Sequence, residues 1–491
     1  MRIVVDKENR IPYYWQIADQ IKEQILCGLL TDGAILPSER VLAKGADVHR
    51  NTVIKAYGLL KDEELIESVH GVGYRVTYGS EGDLAEEKRD KHKGVSWTQA
   101  IKDEYQDMEK TFDDIFQRFA EEDHISFSTG MPPAIFDAEQ IAANFEAVLD
   151  AEQKTAFYLT PYQGDLELRK SILAFLREKS IRANLGQIQI LSETNQAIDF
   201  IVAALLRPGD KVLLEEPVSP DIYRAVELAG CKAITVPVDE EGMMCDHLEP
   251  LIQQHKPKFI LVNSSFHDPT GIVLSVERRK KLLELADRYR VPVVEEDAAS
   301  ELAFDESRFP MTLKSMDVHE NVIYIYSFSL TFIPGLSLAF VVAPEKLIKS
   351  LSYLVSIRMI SLDWISQKLL ARFMKDGEYE ENLKTIRWLN QRKCQLMADY
   401  LKELESLGIT YKKPNGGVYI WCSLPNSLDS REVARLCMKR GVSVIPGDVF
   451  YPNRNGGYHH LRLNYSFETE ARIRDGMEIF CDVIRSLLKN E

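Results

Sequence analysis

Two sets of residues in this chain have the types and the spacing for chemistry. The first is Arg50-Asn51-Thr52, which opens an apolar-periodic stretch. An arginine fork matches O6 and N7 of guanine and an asparagine amide pairs twice with adenine, so such residues in the first turn of a helix can read base edges in a major groove. Lys55 falls on the same face one turn later, and Arg40, on the preceding segment, suits a backbone phosphate. A solvated polar face on a small protein-interaction module has the same composition, and spacing alone leaves both readings open. The second set closes short apolar runs: Asn263 ends KFILVN, Glu296 lies in VPVVEED, and Ser327 to Leu330 follow NVIYIY. If these runs are parallel strands, their carboxyl ends are where an α/β sheet holds ligands. Of the acidic trio Glu295, Glu296 and Asp297, one side chain is expected to face that place. Adjacent His459 and His460 point apart in an extended chain, so no metal site is predicted there. The seven cysteines lie singly and are odd in number, with no Cys-x-x-Cys pair, which argues against both a disulfide framework and a zinc site.

The first set needs a helical platform. Pro12 precedes Ile17, Ile21 and Ile25, a helix that stops at Gly28. Ser38 is placed to cap a short second helix. The third turns Val53, Ala56, Tyr57 and Leu60 inward and Asn51, Ile54, Lys55 and Gly58 outward. LIESV, HGVG and YRV then form a hairpin whose Gly71 and Gly73 permit the tight reversal. Three helices and a hairpin describe a winged helix-turn-helix, predicted for residues 1–78. Residues 79–94 are a mixed charge run with only Leu84 and Ala85 apolar, too little to bury, and read as a linker. Ile101, Tyr105, Met108, Phe112, Ile115, Phe116 and Phe119 carry helical spacing onward as a docking helix, so that 79–124 is connector. From 125 to 491, short apolar runs alternate with helical patterns such as 196–206 and 275–290, which predicts a mostly parallel sheet covered on both faces.

With 491 residues, 45% of them hydrophobic and 27% charged, the chain is of ordinary globular composition and long enough for several domains. Sixty Lys and Arg against seventy-five Asp and Glu leave a net charge of −15. The whole molecule is therefore repelled by nucleic acid, and any such contact must be local. No apolar stretch approaches the roughly 18 residues of a membrane span, and MRIVVDKENR lacks the apolar centre of a secretory signal. A cytoplasmic protein without membrane contact is expected.

The segments RIPYYWQIADQIKEQILCG, LPSER, VHRNTVIKAYGLL and HGVGYRV resemble the DNA-binding domain of the GntR family of bacterial regulators. Asn51-Thr52-Val53 followed by Ala56-Tyr57 is similar to its MocR subfamily, in which that domain is fused to a fold-type-I aminotransferase-like domain. ISFSTGMPP, YQGDLELRKSILAFLREK, LLRPGDKVLLEEP, DPTG, PNGGVYIW and LRLNYS continue the resemblance in family order to the C-terminus. It implies a winged helix-turn-helix joined to an α/β fold-type-I aminotransferase-like domain with a mostly parallel sheet. It also implies contacts to double-stranded DNA from Arg40, Arg50, Asn51, Thr52, Gly71 and Gly73. His49 stands where a Ser or Thr is usual.

The family binds pyridoxal phosphate, and the resemblance implies that the site here has changed. Leu330 stands in the place of the lysine that forms the Schiff base, Glu296 in that of the aspartate at the pyridine nitrogen, and Ala298 in that of a tyrosine. Ser219 replaces the aromatic residue that stacks on the ring. Asp268 replaces an asparagine, Glu193 a glycine of the phosphate loop, and Ser337 an arginine. Arg462 matches the arginine that grips the substrate carboxylate. Either it serves a carboxylate effector, or it pairs with Asp268 or Glu296. Ser327, Ser329, Thr331 and Ser337 either line a polar cavity or are ordinary turn residues. Covalent capture of the cofactor is excluded at Leu330, and weak non-covalent binding or none is expected. The chain then reads as a homodimeric DNA-binding regulator whose large domain dimerises and possesses at most a small-molecule sensing role, for an amino acid or carboxylate. The competing readings are an active pyridoxal-phosphate-dependent aminotransferase and a purely structural scaffold.

Overall fold

The computed structural model describes Ile3, Val5 and residues 12–26, 30–31, 33–46, 48–63, 65–69, 73–77, 124–128, 138–153, 158–305, 310–452 and 455–489. Gly28, Gly71, the linker and the expected docking helix lie outside the described residues. The chain divides into two compact units, Met1–Gln106 and Asp107–Glu491.

In the first unit α1 (Tyr13–Leu26), α2 (Glu39–Gly45) and α3 (Arg50–Asp62) precede the antiparallel strands β1 (Ile66–Val69) and β2 (Gly73–Val76). The inward positions read from the sequence are the buried ones: Ile17, Ile21 and Ile25 on α1, and Val53, Ala56, Tyr57 and Leu60 on α3. They join Leu42, Ile66 and Val76 in one apolar cluster. Burial of such side chains contributes about 1.5–3 kcal/mol each relative to exposure. Ser38 Oγ accepts from the Val41 N–H and starts α2. The Tyr57 hydroxyl donates to the Pro37 carbonyl at 2.7 Å, which fixes α3 against the approach to α2. Gly73 has φ of +117°, a backbone conformation that a side chain disfavours.

In the second unit β3 (Ile125–Ser126), α4 (Ala138–Glu152) and α5 (Leu166–Glu178) lead into alternating elements. These are β4 (Ile188–Leu191), α6 (Thr194–Leu205), β5 (Lys211–Glu216), α7 (Pro220–Leu228), β6 (Lys232–Asp239), β7 (Gly242–Met243), α8 (Leu248–His255), β8 (Ile260–Asn263), α9 (Val276–Tyr289), β9 (Val293–Asp297), α10 (Leu313–Met316), β10 (Val322–Ser327) and β11 (Ala339–Val342). The strands form one eight-stranded sheet in the order β4-β11-β10-β9-β8-β5-β6-β7. Only β11 and β7 run against the rest. Alternate side chains enter different cores: Val212, Leu214, Leu261 and Val294 pack with α5 and α6, whereas Leu213, Ile260, Val262 and Val293 pack with α8 and α9. That period of two, buried on both faces, is why these strands read as unbroken apolar runs.

Three helices follow, α11 (Glu345–Arg358), α12 (Trp364–Lys375) and α13 (Glu378–Glu403). A smaller layer is then built from β12 (Thr410–Tyr411), β13 (Tyr419–Ser423), α14 (Ser430–Lys439), β14 (Val442–Ser443), β15 (Ile445–Pro446), β16 (His460–Asn464) and α15 (Glu470–Lys489). Its sheet runs β12-β13-β16-β15, and β14 pairs with β3. The register of the large sheet sets Leu191, Ala339 and Ser327 side by side, and Asn263 beside Glu296. The chain leaving β4, entering β11 and leaving β8, β9 and β10 therefore gathers along one sheet edge.

Candidate functional site

In the first unit the capping residue of α3 is His49, the residue that departs from the family pattern. Its Nδ1 accepts from the Asn51 N–H at 3.2 Å, as a Ser or Thr oxygen would. Arg50, Asn51 and Lys55 are exposed, as is Arg40 on α2, and Thr52 is half-buried. Exposed Arg50 lies 3.6 Å from half-buried Glu39. Lys55 sits 5.7 Å over the Tyr14 ring. Gly73 begins the second strand of the hairpin. Arg50, Asn51 and Lys55 on α3 and Arg40 on α2 thus hold a fork, an amide and cations in solvent, group types that suit a groove edge and its phosphates.

At the strand ends of the second unit, Glu193 is the centre of one cluster. The Ser327 hydroxyl donates to its carboxylate at 3.1 Å, and the Ser329 hydroxyl donates to the other oxygen. Burial pushes the Glu193 carboxyl above its usual range, opposed by Ser329, Ser327, the Thr194 N–H and Ser337. Ser337 is exposed, with φ of +47°. Thr331 does not belong to this group: it is buried in the aromatic core, where the Tyr379 hydroxyl donates to it at 3.0 Å.

Arg462 is the centre of the other. One nitrogen of its fork donates to both oxygens of Asp268, at 2.7 and 3.0 Å, and another to the Ser128 carbonyl at 2.8 Å. The guanidinium lies 4.3 Å from the Tyr419 ring centroid and 5.0 Å from that of Phe450. The pairing with Asp268 is thus present, and the one with Glu296 is not. Glu296 accepts instead from the Asn263 amide, and burial together with Asp297, Asp268, Glu215 and Glu295 raises its pKa to about 8. Leu330 packs with Phe266, Val418 and Tyr419, with half-buried Ala298 against the same cluster. Ser219 is half-buried at the start of α7 and makes no side-chain cap.

Beneath these residues lies a polar layer of which the sequence reading named Glu295 and missed Glu215, His267 and Arg279. Glu215, at the end of β5, accepts from the Asn263 N–H at 2.7 Å and lies 3.5 Å from His267 Nε2. Burial raises the glutamate to about 8 and lowers the histidine to about 3, so neither is charged near neutrality. Glu295 accepts from Ser264 and from the Leu313 and Lys314 N–H groups beside buried Arg279, so its role is to tie elements together. The run of acids in EEP and EED was the available signal for this layer. His459 bonds the Leu428 carbonyl, while His460 stacks on Trp421. Among the described residues no group of His, Cys, Asp and Glu is arranged to hold a metal, no helix is long and apolar enough to cross a membrane, and Cys231, Cys245, Cys394, Cys422, Cys437 and Cys481 are free and buried.

Residues 13–76 match the model of the gntR family of bacterial regulatory proteins, and residues 122–480 that of aminotransferase class I and II. Over 485 residues the chain is 27% identical to the uncharacterized HTH-type transcriptional regulator YisV of Bacillus subtilis, covering 98% of each. It is 31% identical over 367 residues to the 2-aminoadipate transaminase of Thermus thermophilus, spanning 74% of this chain and 91% of that one. The alpha-aminoadipate aminotransferase LysN of Thermus thermophilus, solved as a complex with N-(5'-phosphopyridoxyl)-L-leucine, superimposes with a TM-score of 0.73 at 28% identity, over 81% of this chain and 100% of that one. With a regulator's helix-turn-helix at one end and the aminotransferase fold over most of its length, the chain belongs to the aminotransferase class I and II family and, within it, to the MocR-like transcription regulators that carry a GntR DNA-binding domain.

Proposed function

We propose that this regulator works as a cytoplasmic homodimer that binds an operator through Arg40, Arg50, Asn51, Thr52, Lys55 and the wing glycines Gly71 and Gly73, with residues 1–78 as the reading domain, 79–124 as connector and 125–491 as a non-catalytic dimerisation domain. The observation that carries it is a contrast. The exposed polar face of α3 is ready for a ligand, whereas the charged groups at the strand ends are engaged from within the chain.

The aminotransferase family implies pyridoxal phosphate, and the residues present do not fit it. Leu330 offers a hydrocarbon within an apolar cluster where an amine is needed. The serine hydroxyls that would meet the phosphate are bonded to Glu193. A carboxylate there opposes an anion of about −1.5 to −2 charges. The fork of Arg462 is engaged by Asp268 and the Ser128 carbonyl, so a carboxylate or amino-acid effector would have to displace Asp268. The exposure of large apolar side chains on the second unit, Phe145 and Leu149 on α4 and Tyr158, Leu159, Ile357 and Ile360, supports its dimerisation.

Footprinting on the promoter region of its own gene tests the reading: a protected site resistant to excess bulk DNA at moderate salt is expected, and no preference over bulk DNA would overturn it. The transaminase among its relatives favours a second reading, that of an active aminotransferase. That reading requires a yellow protein whose cofactor is fixed to a lysine by borohydride, and a colourless protein that takes up none excludes it.

A further inference from the structure

The hydroxyls at the strand ends already have an anion, and it comes from the chain. Glu193 is the first residue before α6, with extended backbone angles (φ −155°, ψ 166°) and no side-chain capping bond. It therefore forgoes the capping role of its position. Its carboxylate turns instead to Ser327 and Ser329, both buried, which arrive from β10 on the same sheet edge. Ser337 and the Thr194 N–H also favour its charged form. Hydroxyl donors, the first turn of a helix and a turn between strands make an anion site of mixed origin. Asp268 does the same for Arg462, whose fork would otherwise be a second anion-binding group.

We infer that Glu193 is an intrachain stand-in for a phosphate monoester: its carboxylate fills an anion site made by Ser327, Ser329, Ser337 and the start of α6, holds these elements as a bound anion would, and excludes an external one. This deepens the reading of the second unit as non-catalytic. Shortening Glu193 should open the site, because the hydroxyls would then lack an acceptor that inorganic phosphate supplies.

The test uses the full chain as wild type, Glu193→Ser, Glu193→Gly, and Glu193→Ser combined with Ser329→Ala. Serine is among the best residues at a helix start, and the glycine variant opens the site without any side chain. Inorganic phosphate and pyridoxal 5'-phosphate are titrated calorimetrically and by thermal melting, with pyridoxal as the control that lacks the phosphate. Both single variants are expected to bind phosphate and pyridoxal 5'-phosphate on the order of tenfold tighter than the wild type, and to melt higher with them by mass action. Pyridoxal gives no shift, and the added Ser329→Ala removes the gain. Equal phosphate binding by the wild type, or a cooperatively melting variant that takes none, overturns the inference. A lysine adduct in the borohydride-reduced wild type would instead overturn the non-catalytic reading itself.

Discussion

Glu296 sits at the end of β9 with the Asn263 amide donating to it and with Asp297, Asp268, Glu215 and Glu295 all within electrostatic reach. Desolvation is the largest cause of its displacement, and the four neighbouring acids add to it, which brings its pKa to about 8. Glu215 reaches about 8 by burial alone, against the partial help of the Asn263 N–H and Arg279. A folded-state acid held above its unfolded value keeps a proton that the unfolded chain has lost. Its contribution to stability is complete below the unfolded value near 4.5 and declines as pH rises toward about 8. Each such group contributes a slope of up to ~1.4 kcal/mol per pH unit across that window. Glu296→Gln keeps the shape and an acceptor but carries no proton to lose. Thermal melts of the variant should show a shallower decline than the wild type between these limits and a higher midpoint at pH 8, with no advantage in acid. Parallel pH profiles for the two proteins would mean that Glu296 is charged in the folded state.

Helix α3 depends on how it starts. His49 Nδ1 is the acceptor described for the Asn51 N–H, which belongs to the first turn that lacks intrahelical partners. His49→Ala should cost about 1 kcal/mol locally, within the ~0.5–2 kcal/mol range for a lost cap. His49→Ser should restore it. Amide exchange of α3 in the full chain reads this directly, with faster exchange near Asn51 in the alanine variant alone; unchanged exchange would show that the cap carries no weight. At this scale the sequence was informative wherever burial repeats with a fixed period. Val53, Ala56, Tyr57 and Leu60 on α3 and the two-sided runs of β5, β8 and β9 were readable because one element meets one or two apolar surroundings. The strand ends were readable as a location, and Asn263, Glu296 and Ser327 do gather there. Their partners were not readable. Whether Arg462 meets Asp268 or Glu296, and that Glu193 turns to Ser329 instead of capping α6, depends on contacts across more than a hundred residues. No local pattern encodes such contacts. His49 was visible only as a departure, because a histidine cap requires one particular ring nitrogen to face the helix.

Charge is unevenly divided over the molecule. Residues 1–78 hold ten Lys and Arg against eleven Asp and Glu, so nearly all of the net −15 belongs to the remainder of the chain. The proposed reading domain is thus close to neutral as a whole, and on that proposal its affinity for DNA comes from a few exposed cations, Arg40, Arg50 and Lys55 among them. Two kinds of substitution then separate cleanly. On the proposed contacts Arg40→Ala takes away a phosphate partner, so it should weaken operator and bulk DNA alike and reduce the slope of log affinity against log salt by about one. On the same proposal Asn51→Ala takes away a base partner, so it should cost about 1–3 kcal/mol on the operator, relax the preference at one base pair and leave the salt slope unchanged. Binding isotherms for both variants at several salt concentrations, on the operator and on a scrambled duplex, distinguish the two. If both lose affinity uniformly with the same change of slope, α3 tracks the backbone and the sequence preference arises elsewhere, in the wing or in the deformability of the DNA.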